Sequence, residues 1–391
     1  MTSQKNIKVA LCLFTSGIDY DDRIRKEILS IQKLYPHVSF KIFAVEESKN
    51  QAKEGVSSYG VPYRIPYLKT RDKYKSGTHT LQKAFDFYNS VKKELEGFDV
   101  IWCADVHTFP FVLMNRKKPL LWDLHELPLD FMSKAPMRLF FRYLEKRCTV
   151  VCHANAPRLE HLRKIGMVKC PDRHFVLRNY PQFNEIDEEY DDAYTDFVTW
   201  LGDDKCVYLQ GLSGRGRADE ESIGAVLAQP DLKGVVVGVI QPDRMKAFEK
   251  KFGKDELTRR IYFTGQIKQL KTPQYIRKCC MALVFYKRTS ANNWYCEPNR
   301  LFQNINNGNP VIVGENPPMA EVVEKYGVGV VAQTDGSDQK AIEKAMKEAF
   351  EKYDTLKENL EKSKDAFLWD SQEDVLKEMM EVLKITDWNH G

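Results

Sequence analysis

The stretch EPNRLFQNINNGNPVIVGE, Glu297 to Glu315, decides how this chain is read. It opens on the turn dipeptide Pro298-Asn299 and places Arg300 in the first turn of a short apolar-periodic run. It then breaks at Asn307-Gly308-Asn309-Pro310 and ends in a compact strand, Val311-Ile312-Val313. A cation in the first turn of a helix works against the helix dipole. It becomes tolerable when an anion sits at the same helix end, so Asn299 and Arg300 are read as part of an anion site.

Working outward, the same strand–helix rhythm covers the chain. IKVALCLF, VSFKIFAV, FDVIWCAD, KPLLWDLHE and CTVVCHAN are near-continuous apolar runs, the pattern of strands buried on both faces of a parallel sheet. Amphipathic segments separate them, such as Asp22–Leu34 with Ile24, Ile28, Ile31 and Leu34 at helical spacing. An acidic, apolar-poor stretch, RNYPQFNEIDEEYDDAYTDF, interrupts the pattern, which restarts at KCVYLQG and runs through LKGVVVGVI, RRIYFTG, CMALVFY and PVIVG. The expectation is an α/β protein of two Rossmann-like doubly wound domains, residues 1–183 and 184–370. A final amphipathic helix follows in 371–391, with Val375, Met379, Val382 and Leu383 on one face.

Composition agrees with a globular chain too long for one core: 391 residues, 43% hydrophobic and 29% charged. No apolar run approaches a membrane span, and the N-terminal apolar stretch reads as a first strand and not a leader. The nine cysteines form no C-x-x-C pair, which favours reduced thiols over zinc or disulfides. The net +4 conceals an asymmetry. Residues 1–183 hold 31 Lys and Arg against 19 Asp and Glu, a net +12, and the remainder is −8. The basic residues are not interleaved with an aromatic recognition motif, so nucleic acid is not an expected partner.

In such sheets ligands bind at the carboxyl ends of strands. One loop there is YLQGLSGRGRADEE, Tyr208–Glu221, where the strand ends at Gly211 and Arg215 and Arg217 lead into a helix. Glycines let a backbone approach phosphate, and arginine forks match its oxygens. Two histidine-bearing loops follow neighbouring strands: Asp105 and His107 in ADVHTFP, and His125 and Glu126 in LLWDLHELPLD. Histidine suits hydrogen-bonding or proton transfer near neutral pH. The segment MRLFFRYLEKR, Met137–Arg147, sets Leu139, Phe140, Tyr143 and Leu144 against Arg138, Arg142, Lys146 and Arg147. With Lys117, Lys118 and the run KTRDKYK it offers either a surface for anionic lipid or a solvated basic face.

DLHELP, RNYP, YLQGLSGRGR, IYFTGQI, EPNRLFQNINNGNPVI and the closing FLWDSQEDVLKEMMEVL occur in an order that resembles the family 4 glycosyltransferases of the two-Rossmann (GT-B) fold. The resemblance implies a nucleotide-diphosphate sugar as donor, held mainly by the C-terminal domain, and a glycan or lipid-linked acceptor on the N-terminal domain. The two domains would face each other across a cleft, with the last helix crossing back. It implies transfer with retention, without a metal or other cofactor. By position, Gly211, Arg215, Asn299 and Arg300 would hold the diphosphate, Gln303 and Gly265 the ribose and base, and His125 would be the active-site histidine. The acceptor side would be Asp105, His107 and Glu126. Two departures stand out. Gln303 and Tyr295 occupy the places of the family's two glutamates, and Glu297, two residues on, would take the catalytic carboxylate role. A GT-B epimerase or phosphorylase, and a non-catalytic nucleotide-sugar-binding homologue, fit the same residues. The expected location is the cytoplasm, at the inner face of the membrane.

Overall fold

The computed structural model describes residues 6–15, 17–19, 21–46, 50–75, 77–115, 117–128, 134–182, 189–212 and 216–385. The chain divides into two compact units, Met1–Asn179 with Gln372–Gly391, and Tyr180–Ser371.

The first unit is built on an eight-stranded sheet: β1 (Ile7–Cys12), β2 (Val38–Phe43), β3 (Lys53–Val56), β4 (Pro62–Ile65), β5 (Val100–Ala104), β6 (Leu120–Leu124), β7 (Val150–His153) and β8 (His174–Val176). The order is β3-β4-β2-β1-β5-β6-β7-β8, parallel except for the antiparallel β3–β4 edge. β5 and β6 are buried at every position, as their unbroken apolar runs require. In this unit β3, β4 and β8 have no counterpart in the sequence reading, and in the second unit neither has Gly329–Val331. β3 is polar and mostly exposed at a sheet edge, and β8 is only three residues long, so neither carries a readable period.

The helix Asp22–Leu34 starts where Asp21 caps the Ile24 amide at 3.1 Å, and it buries Ile24, Ile28 and Ile31. The last helix, Glu373–Val382, belongs to this same unit and packs on the Asp22–Leu34 helix, with Lys33 Nζ 3.0 Å from Glu373. Its buried face is Leu376, Met379 and Met380, continued by Leu383. Val382, assigned to that face from the sequence, is 39% exposed.

The second unit holds β9 (Lys205–Gln210), β10 (Leu232–Val237), β11 (Ile261–Gly265), β12 (Met281–Val284), β13 (Val311–Val313) and β14 (Gly329–Val331), paired in the order β11-β10-β9-β12-β13-β14. Along β9, Cys206 and Tyr208 enter the core on one face, and Val207 and Leu209 the core on the other. This two-sided burial is why the strand reads as a continuous apolar run. Strand order reverses between β9 and β12 here, and between β1 and β5 in the first unit. These are the switch points at which open α/β sheets bind ligands.

All nine cysteines are free thiols. No helix among the described residues is long and apolar enough to cross a membrane.

Candidate functional site

In the second unit the quoted stretch forms the helix Asn299–Asn306, which Gly308 terminates at φ +70. Arg300 is not a surface cation in a solvated turn. It is 7% exposed, and its two terminal nitrogens donate to the Gln210 carbonyl and, at 3.3 Å, to the Phe285 carbonyl. Gln210 is the last residue of β9 and Phe285 directly follows β12, so one guanidinium joins both strand ends at the switch point. Arg300 Nε is buried without a hydrogen-bond partner, as are Asn299 Oδ1 and, one turn on, Gln303 Oε1. No carboxylate pairs with Arg300 among the described residues. Burial, and after it the neighbouring Arg217 charge, press its proton affinity below the usual value.

A buried cation without a counter-ion is costly unless something else supplies the negative charge. Gly211 makes room for it. Its φ is +63, and a Cβ there would lie 3.2 Å from Arg300 Nη1, so a side chain would meet both strain and the guanidinium. Gly238 and Gly265 end β10 and β11, joined by a Gly238 N–H to Gly265 O bond of 3.1 Å.

Arg215 lies outside the described residues. Arg217, two residues on, stands over the Tyr286 ring at 4.0 Å, and Arg300 lies 4.8 Å from the same centroid. From the sequence Arg217 reads, with Arg215, as a phosphate-matching arginine of this loop, and Tyr286 has no assigned role. Tyr286 ends an apolar run and carries no local signal of its own. Glu297 is partly buried two residues before the helix.

In the first unit, Asp105, His107 and Glu126 line one cavity of about 430 Å³ at the β1/β5 switch point, with Phe14 from the end of β1. His107 stacks on Phe14 at 5.5 Å. Asp105 adopts φ +64, rare for a residue with a side chain. It is held there by Trp122 Nε1 donating to its carbonyl at 3.0 Å and by the Thr108 hydroxyl at 2.7 Å. Its carboxylate accepts the His125 amide at 3.1 Å.

His125 itself is not in that cavity wall. Its Nε2–H donates to buried Asp123 at 2.8 Å, its Nδ1 faces Asp105 at 3.7 Å, and Arg158 holds its carbonyl. Burial opposes a charge here, but the Asp123 and Asp105 carboxylates outweigh it and push the imidazole up to about 10. At neutral pH His125 is therefore a cation and a donor, not a general base. Asp123 in turn pairs with Arg23 at 2.9 Å, and Arg23 with Glu27 at 2.9 Å. Glu27, Asp123 and His125 bring donor atoms within 4.8 Å of one another, a spacing suited to a metal ion. The Arg23 guanidinium already supplies positive charge to two of them. Asp123 and His125 sit two apart at a strand end, a pairing the sequence displays. Arg23, a hundred residues earlier, could not have been found that way.

The helix Met137–Glu145 corrects the division drawn from the sequence. Phe141, Leu144 and Glu145 turn inward, and Leu139 and Tyr143 stay exposed.

No protein-family profile matches the chain, and no curated protein matches it in sequence. Among solved structures it is similar to the sucrose-phosphate synthase of Thermosynechococcus elongatus, at 14% identity and TM-score 0.76 over 97% of this chain and all of that one. HepE of Anabaena, in complex with UDP and glucose, is 13% identical with TM-score 0.68, covering 95% of this chain and 99% of that one. WaaG, a glycosyltransferase involved in lipopolysaccharide biosynthesis, is 14% identical with TM-score 0.63, over 94% and 99%. The chain has the GT-B fold: two parallel-sheet α/β units, with the final segment returning to the first.

Proposed function

We propose that this protein is a glycosyltransferase that takes a sugar from a nucleotide-diphosphate donor. The observation that carries this reading is Arg300, a buried cation bonded to the carboxyl ends of β9 and β12 with no carboxylate of its own. A diphosphate supplies the missing charge, and Arg217 with the open glycine ends of β9 to β11 completes a cradle for it. Positive charge held by arginines stabilises the leaving diphosphate, the work a divalent ion does elsewhere, so transfer needs no metal. Support comes from structural neighbours solved with UDP and with UDP-glucose.

Retention of configuration is what the family 4 resemblance implies: in the second unit Glu297 is the proposed catalytic carboxylate, with Gln303 and Gly265 toward the nucleoside, and in the first unit His125 is the proposed active-site histidine. The acceptor, a glycan or lipid-linked sugar, binds the Asp105, His107 and Glu126 cavity. A cytoplasmic enzyme of this kind meets a lipid-linked acceptor at the inner membrane face. The exposed Leu139 and Tyr143, beside a groove lined by Lys117, Lys146, Arg147 and Lys384, are the surface suited to anionic lipid.

Calorimetric titration of UDP into the protein and its Arg300→Met variant tests the central point. A charge-assisted bond of about 1.5–3 kcal/mol corresponds to a roughly ten- to hundredfold weaker Kd in the variant. Equal affinity would remove the diphosphate assignment.

A further inference from the structure

The cavity at the β1/β5 switch point has two unlike walls. One is the strand-end wall of Asp105 and Glu126. The other comes from the helix Lys69–Lys73, the helix Thr80–Val91 and the turn between them, and presents Arg71, Thr78, Thr80 and Lys83. Lys83 is 5% exposed. Its Nζ donates to the Lys75 carbonyl at 2.6 Å, and no carboxylate pairs with it among the described residues. The acids on the same two helices are turned elsewhere. Asp72 accepts from Asn50 at 2.8 Å and from Tyr67, and Asp86 accepts the amide and hydroxyl of Thr70, each at 2.8 Å.

Two cations are thus brought together at one wall of a cavity, and burial together with the Arg71 charge lowers the proton affinity of Lys83. The Thr80–Val91 helix adds its positive end to the same wall. Its N-cap residue, His79, sits at φ +53 and gives no side-chain cap, so its first amides are not claimed by a capping oxygen. The Thr78 hydroxyl is given to the Lys75 carbonyl at 2.8 Å, so a buried lysine, an arginine beside it, the Thr80 hydroxyl and a helix N-terminus form the site for a compact anion carrying several acceptor oxygens.

We propose that this cavity takes an acceptor bearing a phosphomonoester, bound by Arg71 and Lys83 with the Thr80 hydroxyl, while the acceptor hydroxyls face Asp105 and Glu126. The proposal rests on the acceptor reading of this cavity and deepens it. It does not depend on the donor assignment in the second unit.

The test is calorimetry on the full chain in the Arg300→Met background, which removes the second unit's arginine from competition for phosphate. The probes are inorganic phosphate, glucose 6-phosphate, glucose, and a polyprenyl phosphate in detergent micelles. Phosphate and at least one phosphomonoester should bind, and glucose 6-phosphate should bind at least tenfold tighter than glucose. Lys83→Met and Arg71→Ala should each weaken phosphate at least tenfold, and Lys83→Arg should keep most of the affinity. A tighter polyprenyl phosphate with the same sensitivity to Lys83 would support the site and identify its ligand as lipid-borne. Absence of millimolar phosphate binding, or phosphate affinity indifferent to both substitutions, would overturn the proposal. Should Lys83→Met fail to fold, the partly exposed Arg71 carries the test. UDP titrated into the unsubstituted chain reports separately on the donor reading, so either can fail alone.

Discussion

Arg23 in the first unit and Arg300 in the second are buried to a similar degree, 4% and 7% exposed, and each lies beside a switch point or strand end. Their surroundings are opposite. Arg23 is neutralised from within by Asp123, which more than reverses burial's pull on its proton, with Glu27 2.9 Å away although burial holds that carboxyl well above its usual range. Among the described residues Arg300 bonds to carbonyls and faces the Tyr286 ring, with a second cation, Arg217, nearby. The first arrangement is complete without a ligand and belongs to the framework that holds His125 and Asp105. The second has no paired carboxylate among the described residues. Burial alone therefore does not separate structural from binding residues; the presence of a paired charge does.

The largest effect expected from this comparison is on stability. Removing one member of a buried ion pair leaves the others uncompensated, so Arg23→Met should lower stability by about 3–5 kcal/mol. Arg300→Met loses bonds to two carbonyls, worth about 1–3 kcal/mol each, but also removes an unpaired buried charge, so its net cost should be clearly smaller. Urea denaturation of both variants checks this; losses of the same size would break the contrast.

A second, intermediate effect concerns pH. His125 has a folded value near 10, above the ~6.5 of an unfolded histidine. Its stabilisation is therefore complete below pH ~6.5 and lost as pH rises toward 10. Asp123 is shifted downward: Arg23 and His125 outweigh the upward pull of burial. Its contribution is present above pH ~4 and lost on further acidification. His125→Gln should flatten the alkaline side of the urea-midpoint profile between pH 6 and 10. Parallel profiles for the variant and the parent would show that the imidazolium is not what holds Asp123.

The smallest effect belongs to a pair at the surface. Lys33, with a side chain 71% exposed, meets Glu373 at 3.0 Å where the last helix packs on the first. Glu373→Gln should cost under about 1 kcal/mol, and high salt should erase the difference. A loss approaching that of Arg23→Met would mean that helix attachment, and not burial, sets the weight of these pairs.

Much of the fold was legible from contiguous residues. Unbroken apolar runs announced β5, β6, β9 and β12, and the 3.6-residue period announced Asp22–Leu34, because each pattern is written within a few turns of chain. The short or polar strands β3, β4, β8 and β14 were missed, since a strand of three or four residues, or an exposed edge strand such as β3, imposes no period. In the site, Arg300, Gly211 and the Asp105–His107 loop were visible as residue types at strand ends. The surroundings of Arg300 were not: a cation in a first turn reads as solvated until Gln210, ninety residues earlier, is found against it.

The sequence by itself determined the alternation of elements, the two-unit plan and the strand ends where chemistry would be placed, because periodicity, turn residues and glycine positions are local. Only the tertiary structure decided that Arg300 is buried at the β9/β12 switch point and that His125 is charged and stands behind the cavity. It alone joined Arg71 and Lys83 to Asp105 and Glu126 around one volume. Those facts depend on which residues far apart in the chain share a low-dielectric neighbourhood, and pairing of that kind is set by sheet order and packing, which no local run of residues contains.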